Sequence, residues 1–132
     1  MRFMLDTNII SDMIRNPTGK AAGAVLREGD TAVCTSIVVA SELRYGCAKK
    51  GSAKLLEKVE ALLAEIAIVP LDVPVDIEYG ALRAGLEGKG QAIGHNDLFI
   101  AAHARVLGAT LVTANIGEFS RIAGLKVENW LA

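Results

Sequence analysis

Short apolar runs alternate along the chain with longer segments in which apolar residues recur every three or four positions. Five runs predict strands, in the order RFML, TAVCTS, AIVPLD, ATLVTA and LKVENW. The segments between them predict helices, and the first, TNIISDMIRN, places Ile9, Ile10, Met13 and Ile14 on one face. Strands that alternate with helices are typical of a parallel sheet with helices on both faces. The pattern predicts a single α/β domain over residues 1–132.

Prolines, glycines and polar side chains mark the ends of the predicted helices. Pro74 is expected in the first turn of PVDIEYGALRAGLEGKG, and Asn96 is expected as the N-cap of NDLFIAAHARVLG, which Gly108 closes. These limits place Asp97 at the first helical position. The other predicted helices are GKAAGAVLREG, IVVASELRYGCAKK and SAKLLEKVEALLAEI, and NIGEFSRI is expected to form a short helix or turn.

The composition agrees with a folded chain that has a hydrophobic core, and it limits the cellular compartments in which the protein is expected. Apolar residues make up 52% of the sequence and the mean hydropathy is +0.36, mostly from aliphatic side chains, which argues against disorder. No uncharged apolar stretch approaches the ~18 residues of a membrane span, and no secretory signal is recognisable. The two cysteines, Cys34 and Cys47, are expected to be reduced and structural. We therefore expect a cytoplasmic protein without a membrane segment.

Three acidic residues and one amide are expected at the same edge of the sheet. Asp6 closes the first strand, and Asn115 closes the strand ATLVTA. Glu42 lies within the first two turns of the helix that follows TAVCTS. Asp97 begins a helix that must run antiparallel to the next strand, so this helix also starts at the carboxyl edge. Ligands of open parallel sheets bind at this edge.

Each of these four residues also has a purely structural interpretation. Asp6 serves equally well as a helix cap, and the charge of Asp97 favours the helix dipole. A lone Glu42 is more typical of a solvated helix face, and a lone Asn115 of a turn. Only their convergence favours a functional site.

Carboxylates that share a small space need a counter-charge, because like charges push one pKa strongly upward. Oxygen ligands without clustered cysteine or histidine favour a hard cation, Mg²⁺ or Mn²⁺. Such an ion activates water and polarises phosphoryl oxygens. The sequence has no Walker loop, no Gly-x-Ser-x-Gly and no Gly-x-Gly-x-x-Gly after a strand that would indicate another chemistry. The pattern therefore favours a metal site.

Histidines and lysines add less to this picture. His103 is expected to pack within its helix, whereas His95 lies beside Asp97 and is a candidate for substrate contact. The lysines between Lys49 and Lys58 are more typical of a solvated face than of a phosphate-binding rim. The net charge of −1 neither supports nor excludes an RNA substrate.

Four sequence blocks follow one another in a characteristic order. They are MLDTNI, S-x-V-V-A-S-E-L-R-Y-G, I-G-x-N-D-x-x-I-A-A-H-A and L-V-T-A-N-x-x-E-F, and they fall between Phe3 and Trp130. In this order and spacing they resemble PIN-domain ribonucleases, most of all the VapC-type toxins of bacterial toxin–antitoxin pairs. The resemblance implies a PIN-like three-layer α/β/α sandwich around a mainly parallel sheet of about five strands.

The resemblance also assigns roles by position. Asp6 and Asp97 would be the primary ligands of Mg²⁺ or Mn²⁺, and Glu42 would complete the acidic cluster. Asn115 stands where many PIN domains carry a fourth acid, so it is expected to bind substrate or a metal-bound water. Glu118 nearby is a candidate substitute for that acid. The supporting residues implied are Asn8 and Thr113.

An activity and partners follow from the same resemblance. Metal-activated water would attack a phosphodiester of structured RNA, with tRNA the expected class, and leave a 5′-phosphate and a 3′-hydroxyl. Similar toxins form homodimers and are inhibited by a small VapB-like antitoxin, whose C-terminal segment lies in a groove between the N-terminal helices of the toxin. Four apolar residues are candidates for this groove and equally for the core, which we favour: Ile10, Met13, Leu55 and Leu62.

Two other classes of function stay open. A phosphoryl-transfer enzyme of the haloacid dehalogenase kind would use Asp6 as its nucleophile, but it needs a second acid at the position of Asn8 and usually a longer chain. A catalytically weakened PIN-like module would bind RNA or a protein partner without cleavage. Asn115 supports that alternative, and the intact acids count against it.

Overall fold

A computed structural model describes residues 2–132, whose strands form one five-stranded sheet. The strands are β1 (Phe3–Leu5), β2 (Val33–Ser36), β3 (Ala67–Val69), β4 (Thr110–Val112) and β5 (Val127–Glu128). Their order across the sheet is β3-β2-β1-β4-β5, and every neighbouring pair is parallel. The predicted α/β fold with a mainly parallel sheet of about five strands is therefore confirmed.

Within residues 2–132, seven helices flank this sheet. They are α1 (Thr7–Arg15), α2 (Lys20–Glu28), α3 (Ile37–Lys50), α4 (Ala53–Leu63), α5 (Val75–Gly88), α6 (His95–Leu107) and α7 (Ile116–Phe119). The chain moves from β1 to β2 and β3 in one direction and from β4 to β5 in the other. Because parallel crossovers are right-handed, this reversal puts α1–α4 and α5–α6 on opposite faces. The contacts agree, since α1 packs on α3 and α4 whereas α5 packs on α6.

The two central strands are buried on both faces. Met4, Leu5, Leu111 and Val112 have no exposed surface. Nearly continuous apolar strands are what a parallel sheet covered by helices requires. Polar side chains that follow β1 and β4 therefore lie at the sheet edge, where the covering helices begin and solvent can enter.

The four apolar residues that were candidates for both core and groove divide into two pairs. Ile10 and Met13 of α1 belong to the core, which confirms the expectation for this helix. Leu55 and Leu62 of α4 pack against the border of the core and stay partly exposed. The helix α4 therefore carries partly exposed apolar side chains at the border of the core.

Both cysteines are buried and free, so the expectation that Cys34 and Cys47 are unpaired is confirmed. Burial raises the pKa of the Cys34 thiol to about 11, which keeps it protonated at neutral pH. No helix within residues 2–132 has the length and hydropathy that crossing a bilayer requires.

The predicted start of α6 is wrong by two residues. The helix begins at His95 with Gly94 as its N-cap, not after Asn96, so Asp97 is its third residue. The Glu118 side chain of α7 lies beside the backbone N–H of Gly94, which lowers the pKa of Glu118. A side chain from a distant segment thus lies at the start of α6, and no local pattern reveals it.

Smaller differences concern two other element ends. Pro74 is the N-cap of α5 rather than a first-turn residue, because its ψ of 31° lies outside the helical range. The run TAVCTS begins in a 3₁₀ turn, Asp30–Ala32, so β2 starts at Val33. Gly108 closes α6 with a left-handed φ of 67°, as predicted.

Candidate active site

The direction in which the chain moves across the sheet reverses between β1 and β4, and open α/β sheets bind ligands beside such a reversal. Asp6 directly follows β1, and Thr113 directly follows β4. Glu42 lies in the second turn of α3, which begins after β2, and Asp97 lies in the first turn of α6. The structure thus brings residues from four distant segments to one sheet edge.

Asp6 is a buried carboxylate with hydrogen-bond donors around it. Only 4% of its surface is exposed. Its Oδ1 accepts the Thr7 N–H at 2.8 Å, and its Oδ2 accepts the Thr113 hydroxyl at 2.8 Å and the Asn8 amide at 3.2 Å. Burial raises the pKa of Asp6, while the hydrogen bonds from Thr113 and Thr7 oppose that shift. Asp6 is therefore the N-cap of α1 and at the same time an acid at the sheet edge.

Asn8 and Thr113 hold this carboxylate and also fix the end of β4. Thr113 is fully buried, and its hydroxyl accepts the Asn115 N–H at 3.0 Å. The Asn8 side chain donates to the Thr113 hydroxyl at 3.3 Å and accepts the Ala114 N–H at 2.9 Å. One hydrogen-bond network therefore joins the ends of β1 and β4 and leaves Asp6 little freedom to move.

Glu42 is half-buried and is held by a residue that the sequence analysis missed. The Thr7 hydroxyl donates to Glu42 Oε1 at 2.7 Å, while the Thr7 N–H donates to Asp6. Thr7 thus contacts acids from two different segments. Its place directly after Asp6 was a usable signal, but its partner Glu42 is 35 residues away and no local pattern connects them.

Asp97 and Glu118 form a carboxyl pair. Burial is the main cause that raises the pKa of Asp97 to about 7, followed by its hydrogen bond with Glu118, and the charges of Asp6 and Glu42 act in the same direction. Burial also raises the pKa of Glu118, but hydrogen bonds from Asp97 and Asn115 lower it overall. Below neutral pH, the Asp97 carboxyl is therefore protonated and donates a hydrogen bond to the ionised Glu118.

Asn115 lies at the rim of the acidic edge. Its side chain is exposed, and its Nδ2 donates to Glu118 Oε2 at 2.8 Å. Asn115 is also the N-cap residue of the short helix α7, which carries Glu118. Although position 115 is an asparagine, the edge has a fourth carboxylate, because Glu118 lies beside Asp97.

Carboxylate, hydroxyl and amide oxygens dominate the site, a donor set that suits a hard divalent cation. Burial raises the pKa of Asp97, the neighbouring carboxylates raise it further, and a bound cation would provide the counter-charge that lowers it. Glu42 instead bonds Thr7, and within residues 2–132 no three His, Cys, Asp or Glu side chains stand close enough together to ligate one ion. The residues fit such a cation through donor chemistry and charge.

The two histidines have different surroundings. His95 is exposed and lines a shallow depression at the mouth of the site together with Glu42 and Asp97. His103 is buried in α6, as expected, with its Nδ1 2.9 Å from Ser36 Oγ. The lysines of the predicted solvated face are all exposed: Lys49, Lys50, Lys54 and Lys58.

A cavity of about 270 Å³ opens from the acidic edge between α1, α3 and α4. Thr7 and Glu42 lie at its acidic end, and Arg15 and Lys50 lie further along the same two helices. Its lining between these ends is mostly apolar and includes Ile14, Leu43, Leu55 and Val59. The candidate site thus continues into an apolar groove with a basic far end, here called the helix groove.

Comparisons with known proteins extend the likeness to the whole chain. A family model for the PIN domain matches residues 3–125. Ribonuclease VapC2 of Rickettsia felis is 40% identical over 132 residues, which cover 98% of each chain. The tRNA(fMet)-specific endonuclease VapC of Shigella flexneri is 36% identical, again over 98% of each chain.

A solved structure gives the same result. VapBC2 from Rickettsia felis, bound to a DNA fragment from its promoter, superposes with a TM-score of 0.89 at 38% identity, covering 98% of this chain and 99% of the other. The family model and these matches include all four sequence blocks, which confirms the resemblance seen in the sequence. The chain therefore belongs to the PIN-domain family, among the VapC ribonucleases.

Proposed function

We propose that this chain is a Mg²⁺- or Mn²⁺-dependent endoribonuclease and the toxin of a toxin–antitoxin pair. The observation that carries the proposal is the buried Asp6 carboxylate, which lies where the direction of the chain across the sheet reverses. The charges of Asp6 and Glu42 both raise the pKa of Asp97. Membership of a ribonuclease family and an acidic cluster at the ligand-binding edge support the same chemistry.

Asp6, Asp97 and Glu42 are the residues proposed to hold the cation. When bound, a divalent cation supplies the Lewis acidity that activates water and polarises a phosphodiester oxygen. Thr113 favours the ionised form of Asp6 and orients it through a 2.8 Å hydrogen bond, and Thr7 orients Glu42 at 2.7 Å. Because water attacks rather than the ribose 2′-hydroxyl, the products carry a 5′-phosphate and a 3′-hydroxyl.

Three residues at the rim are proposed to act beside these ligands. Glu118 orients the Asp97 carboxyl through their hydrogen bond. Asn115 is exposed next to Glu118 and can offer its amide to the RNA backbone. His95 is exposed at the mouth and is placed to contact a phosphate.

Transfer RNA is the proposed substrate. The Shigella flexneri relative, 36% identical, is named a tRNA(fMet)-specific endonuclease. The mouth of the site is a shallow depression rather than a groove shaped for a duplex. An unstacked loop can bring its backbone to the Asp6 edge more easily than a regular helix can. We therefore propose cleavage within a tRNA loop.

A VapB-like antitoxin is proposed to inhibit the enzyme from the helix groove. The apolar lining suits the apolar side chains of a peptide, and the acidic end beside Glu42 suits a basic side chain. The similar Rickettsia felis structure contains VapBC2. A toxin–antitoxin hetero-oligomer is the expected assembly.

A homodimer is proposed as the unit of that assembly. Val73 and Ile77, at the start of α5, expose 77% and 71% of their surfaces. Neighbouring exposed apolar side chains of this size are typical of a surface that another protein covers. Light scattering on the antitoxin-free protein should give twice the chain mass, and Ile77→Lys should give the monomer mass.

Cleavage of a purified tRNA mixture by antitoxin-free protein tests the proposed activity. Discrete fragments with 5′-phosphate ends should form with Mg²⁺ or Mn²⁺ and should not form with a chelator or with folded Asp97→Asn. Asp76→Asn, which changes an exposed carboxylate in the first turn of α5, is the matched control and should cleave like the wild type. Cleavage that persists under chelation or in Asp97→Asn would contradict the proposal.

A catalytically weakened PIN-like module is the second candidate. The amide at Asn115 favours this candidate. So does the observation that, among residues 2–132, no three acidic, cysteine or histidine side chains are arranged to ligate one ion. In that case the folded wild type would bind tRNA but cleave it in no arm of the experiment. An aspartyl-phosphate trapped on Asp6 would instead support the phosphoryl-transfer hypothesis.

A further inference from the structure

One buried polar contact connects the two helices that carry Glu42 and Asp97. His103 belongs to α6, the helix of Asp97, and exposes 1% of its surface. Its Nδ1 lies 2.9 Å from Oγ of Ser36, the fully buried N-cap of α3, which is the helix of Glu42. An apolar side chain would fill the same space without the cost of burying an imidazole. The polar pair therefore needs an explanation beyond packing.

The surroundings of His103 indicate where its proton lies. Burial lowers the pKa of the imidazole, which keeps it neutral, and the Pro70 carbonyl opposes the shift as a hydrogen-bond acceptor. A neutral imidazole has one N–H and one bare nitrogen, and a carbonyl can accept only from the N–H. Because Nδ1 faces Ser36 Oγ, we infer that the N–H next to Pro70 is that of Nε2 and that the bare Nδ1 accepts the Ser36 hydroxyl.

The Ser36 hydroxyl connects His103 to the backbone of α3. Its Oγ accepts the Val38 N–H at 3.1 Å, so the oxygen that meets His103 also caps the helix. Within residues 2–132, no buried side-chain nitrogen or oxygen lacks a hydrogen-bond partner. The chain of bonds thus runs without interruption from α6 through Ser36 to the first turn of α3.

We propose that His103 is a positioning residue for the nuclease reaction: its imidazole ties α6 to the N-terminus of α3 and so fixes the Asp97 and Glu42 carboxylates relative to each other. This inference rests on the proposed metal-dependent function. His103 itself touches neither acid. It acts because His103 lies six residues after Asp97 in α6 and Ser36 lies six residues before Glu42, so their contact holds each helix within two turns of its carboxylate and limits the movement of one helix relative to the other.

Three substitutions at His103 separate this role from packing. His103→Leu fills the space without polar atoms. His103→Asn places an oxygen where Nδ1 is and can still accept the Ser36 hydroxyl. His103→Gln keeps a polar group near the Nε2 position only.

We expect His103→Leu to lower kcat for tRNA cleavage and the affinity for Mn²⁺ about 10- to 100-fold, which is typical of residues that orient metal ligands, with little change in KM. His103→Asn should recover most of both losses, and His103→Gln should recover less. A residue that only fills the core would change thermal stability and leave kcat and Mn²⁺ affinity of the folded protein unchanged. Wild-type values of both in folded His103→Leu would overturn the inference.

The same bond can be removed from its other end, which keeps the test valid if His103→Leu does not fold. Ser36→Ala removes the hydroxyl, and Ser36→Thr keeps it. We expect Ser36→Ala to lower kcat and Mn²⁺ affinity and the double variant with His103→Gln, which also lacks this bond, to be no worse than the more impaired of the two single variants, since both changes act on one bond. Full additivity of the two losses would contradict a shared role.

A measurement that needs neither metal nor RNA completes the test. Nitrogen-15 shifts of the His103 ring in the cation-free protein should report a neutral imidazole with its proton on Nε2. A proton on Nδ1, or a charged ring at neutral pH, would overturn the inference. If the wild type shows no metal-dependent cleavage, the proposed function fails. If it cleaves and His103→Leu cleaves equally well, only the inference about His103 fails.

Discussion

The Asp6 half and the Asp97 half of the acidic edge are built on different principles. Asp6 is 4% exposed and is surrounded by donors from Thr7, Thr113 and Asn8, so hydrogen bonds offset part of the cost of burying its charge. Asp97 is half-buried and faces another acid, Glu118, so burial and like charge raise the pKa of Asp97 while that of Glu118 is lowered. Hydrogen bonds hold the Asp6 carboxylate in place without an ion. The charge state of the Asp97 carboxyl depends on whether a proton or a cation is bound there.

This difference follows from the elements that carry the two residues. Asp6 lies between the ends of two central strands, where backbone and buried hydroxyl donors are fixed by the sheet. Asp97 lies in the first turn of a helix whose N-cap is a glycine without a capping side chain, and the Glu118 side chain of α7 lies beside it. We infer that a cation bound at this edge would change the Asp97 side far more than the Asp6 side.

The largest expected effect comes from removing either charge. Asp6→Asn and Asp97→Asn should each lower the rate of RNA cleavage about a thousandfold or more, because several kcal/mol of transition-state stabilisation depend on the cation. Their effects on stability should differ in sign. Burial raises the pKa of both acids, but only Asp6 accepts from three donors, which the NH2 group of an asparagine cannot do. Without metal at pH 8, Asp6→Asn should therefore lower the free energy of unfolding by ~1–3 kcal/mol, and Asp97→Asn should raise it.

Urea unfolding at pH 8 with a chelator checks this difference, with Asp76→Asn as the control for loss of an exposed carboxylate. Destabilisation of similar size in both active-site variants would show that Asp6 and Asp97 do not differ in the way described.

The donor that compensates Asp6 can be removed while its shape is kept. Thr113→Val should lower cleavage about 10- to 100-fold and the free energy of unfolding by ~1–3 kcal/mol, because a buried carboxylate loses its 2.8 Å hydrogen bond. Thr35→Val is the matched control. Thr35 is equally buried, and its hydroxyl donates to the Leu5 carbonyl at 2.7 Å rather than to the Asp6 carboxylate.

Both variants should be destabilised, and only Thr113→Val should lose activity per folded molecule in single-turnover cleavage assays. Equal losses of activity would mean that general destabilisation, and not the Asp6 hydrogen bond, explains the result.

The Asp97 half should depend on pH. Its pKa of about 7 in the folded chain lies above the ordinary value of 3.8, so the folded chain holds a proton that the unfolded chain has lost between these pH values. This contribution to stability is fully present below about pH 4 and is lost as pH rises through 7. For a half-exposed group, we expect ~1 kcal/mol after solvent screening.

Glu118 has the opposite sign, since its pKa is lowered and its contribution is lost only as pH falls below its ordinary value of 4.5. Urea unfolding between pH 5 and pH 8 checks the prediction, and the slope should disappear in Asp97→Asn and in the presence of Mn²⁺. A slope that persists in Asp97→Asn would assign the effect to another group.

The smallest expected effect is at the rim. Asn115→Ala removes the 2.8 Å hydrogen bond to Glu118 from an exposed side chain, so cleavage should fall less than about tenfold and stability by ~0.5 kcal/mol. Asn115→Asp should instead raise the pKa of Asp97 further by adding a like charge. Titration of the Asp97 carboxyl by carbon-13 NMR measures that shift, and a downward shift would contradict the arrangement described.

The fold was largely predictable from the sequence. Apolar strands alternate with amphipathic helices, and this pattern determines a parallel sheet whose carboxyl edge collects Asp6, Glu42 and Asp97. The order of strands brings the end of β1 next to the end of β4, which places Thr113 beside Asp6. These are consequences of topology, and topology is encoded in periodicity over many residues.

The connections inside the site were much less predictable. The Thr7–Glu42 bond, the Asp97–Glu118 pair and the Glu118 contact at Gly94 all join segments that are distant in sequence. Local propensity therefore placed the start of α6 two residues late. Such contacts depend on side-chain positions after folding, which residue type and spacing do not fix.

Calorimetric titration of the antitoxin-free protein with Mn²⁺ shows whether Asp6 and Asp97 bind one cation together. The wild type, Asp6→Asn, Asp97→Asn and Asp76→Asn should be compared at pH 7. If the two halves of the acidic edge hold one cation between them, the wild type and Asp76→Asn should bind Mn²⁺ with equal affinity, and both active-site variants should lose that binding. Unchanged Mn²⁺ affinity in Asp97→Asn, or in Asp6→Asn, would contradict the account.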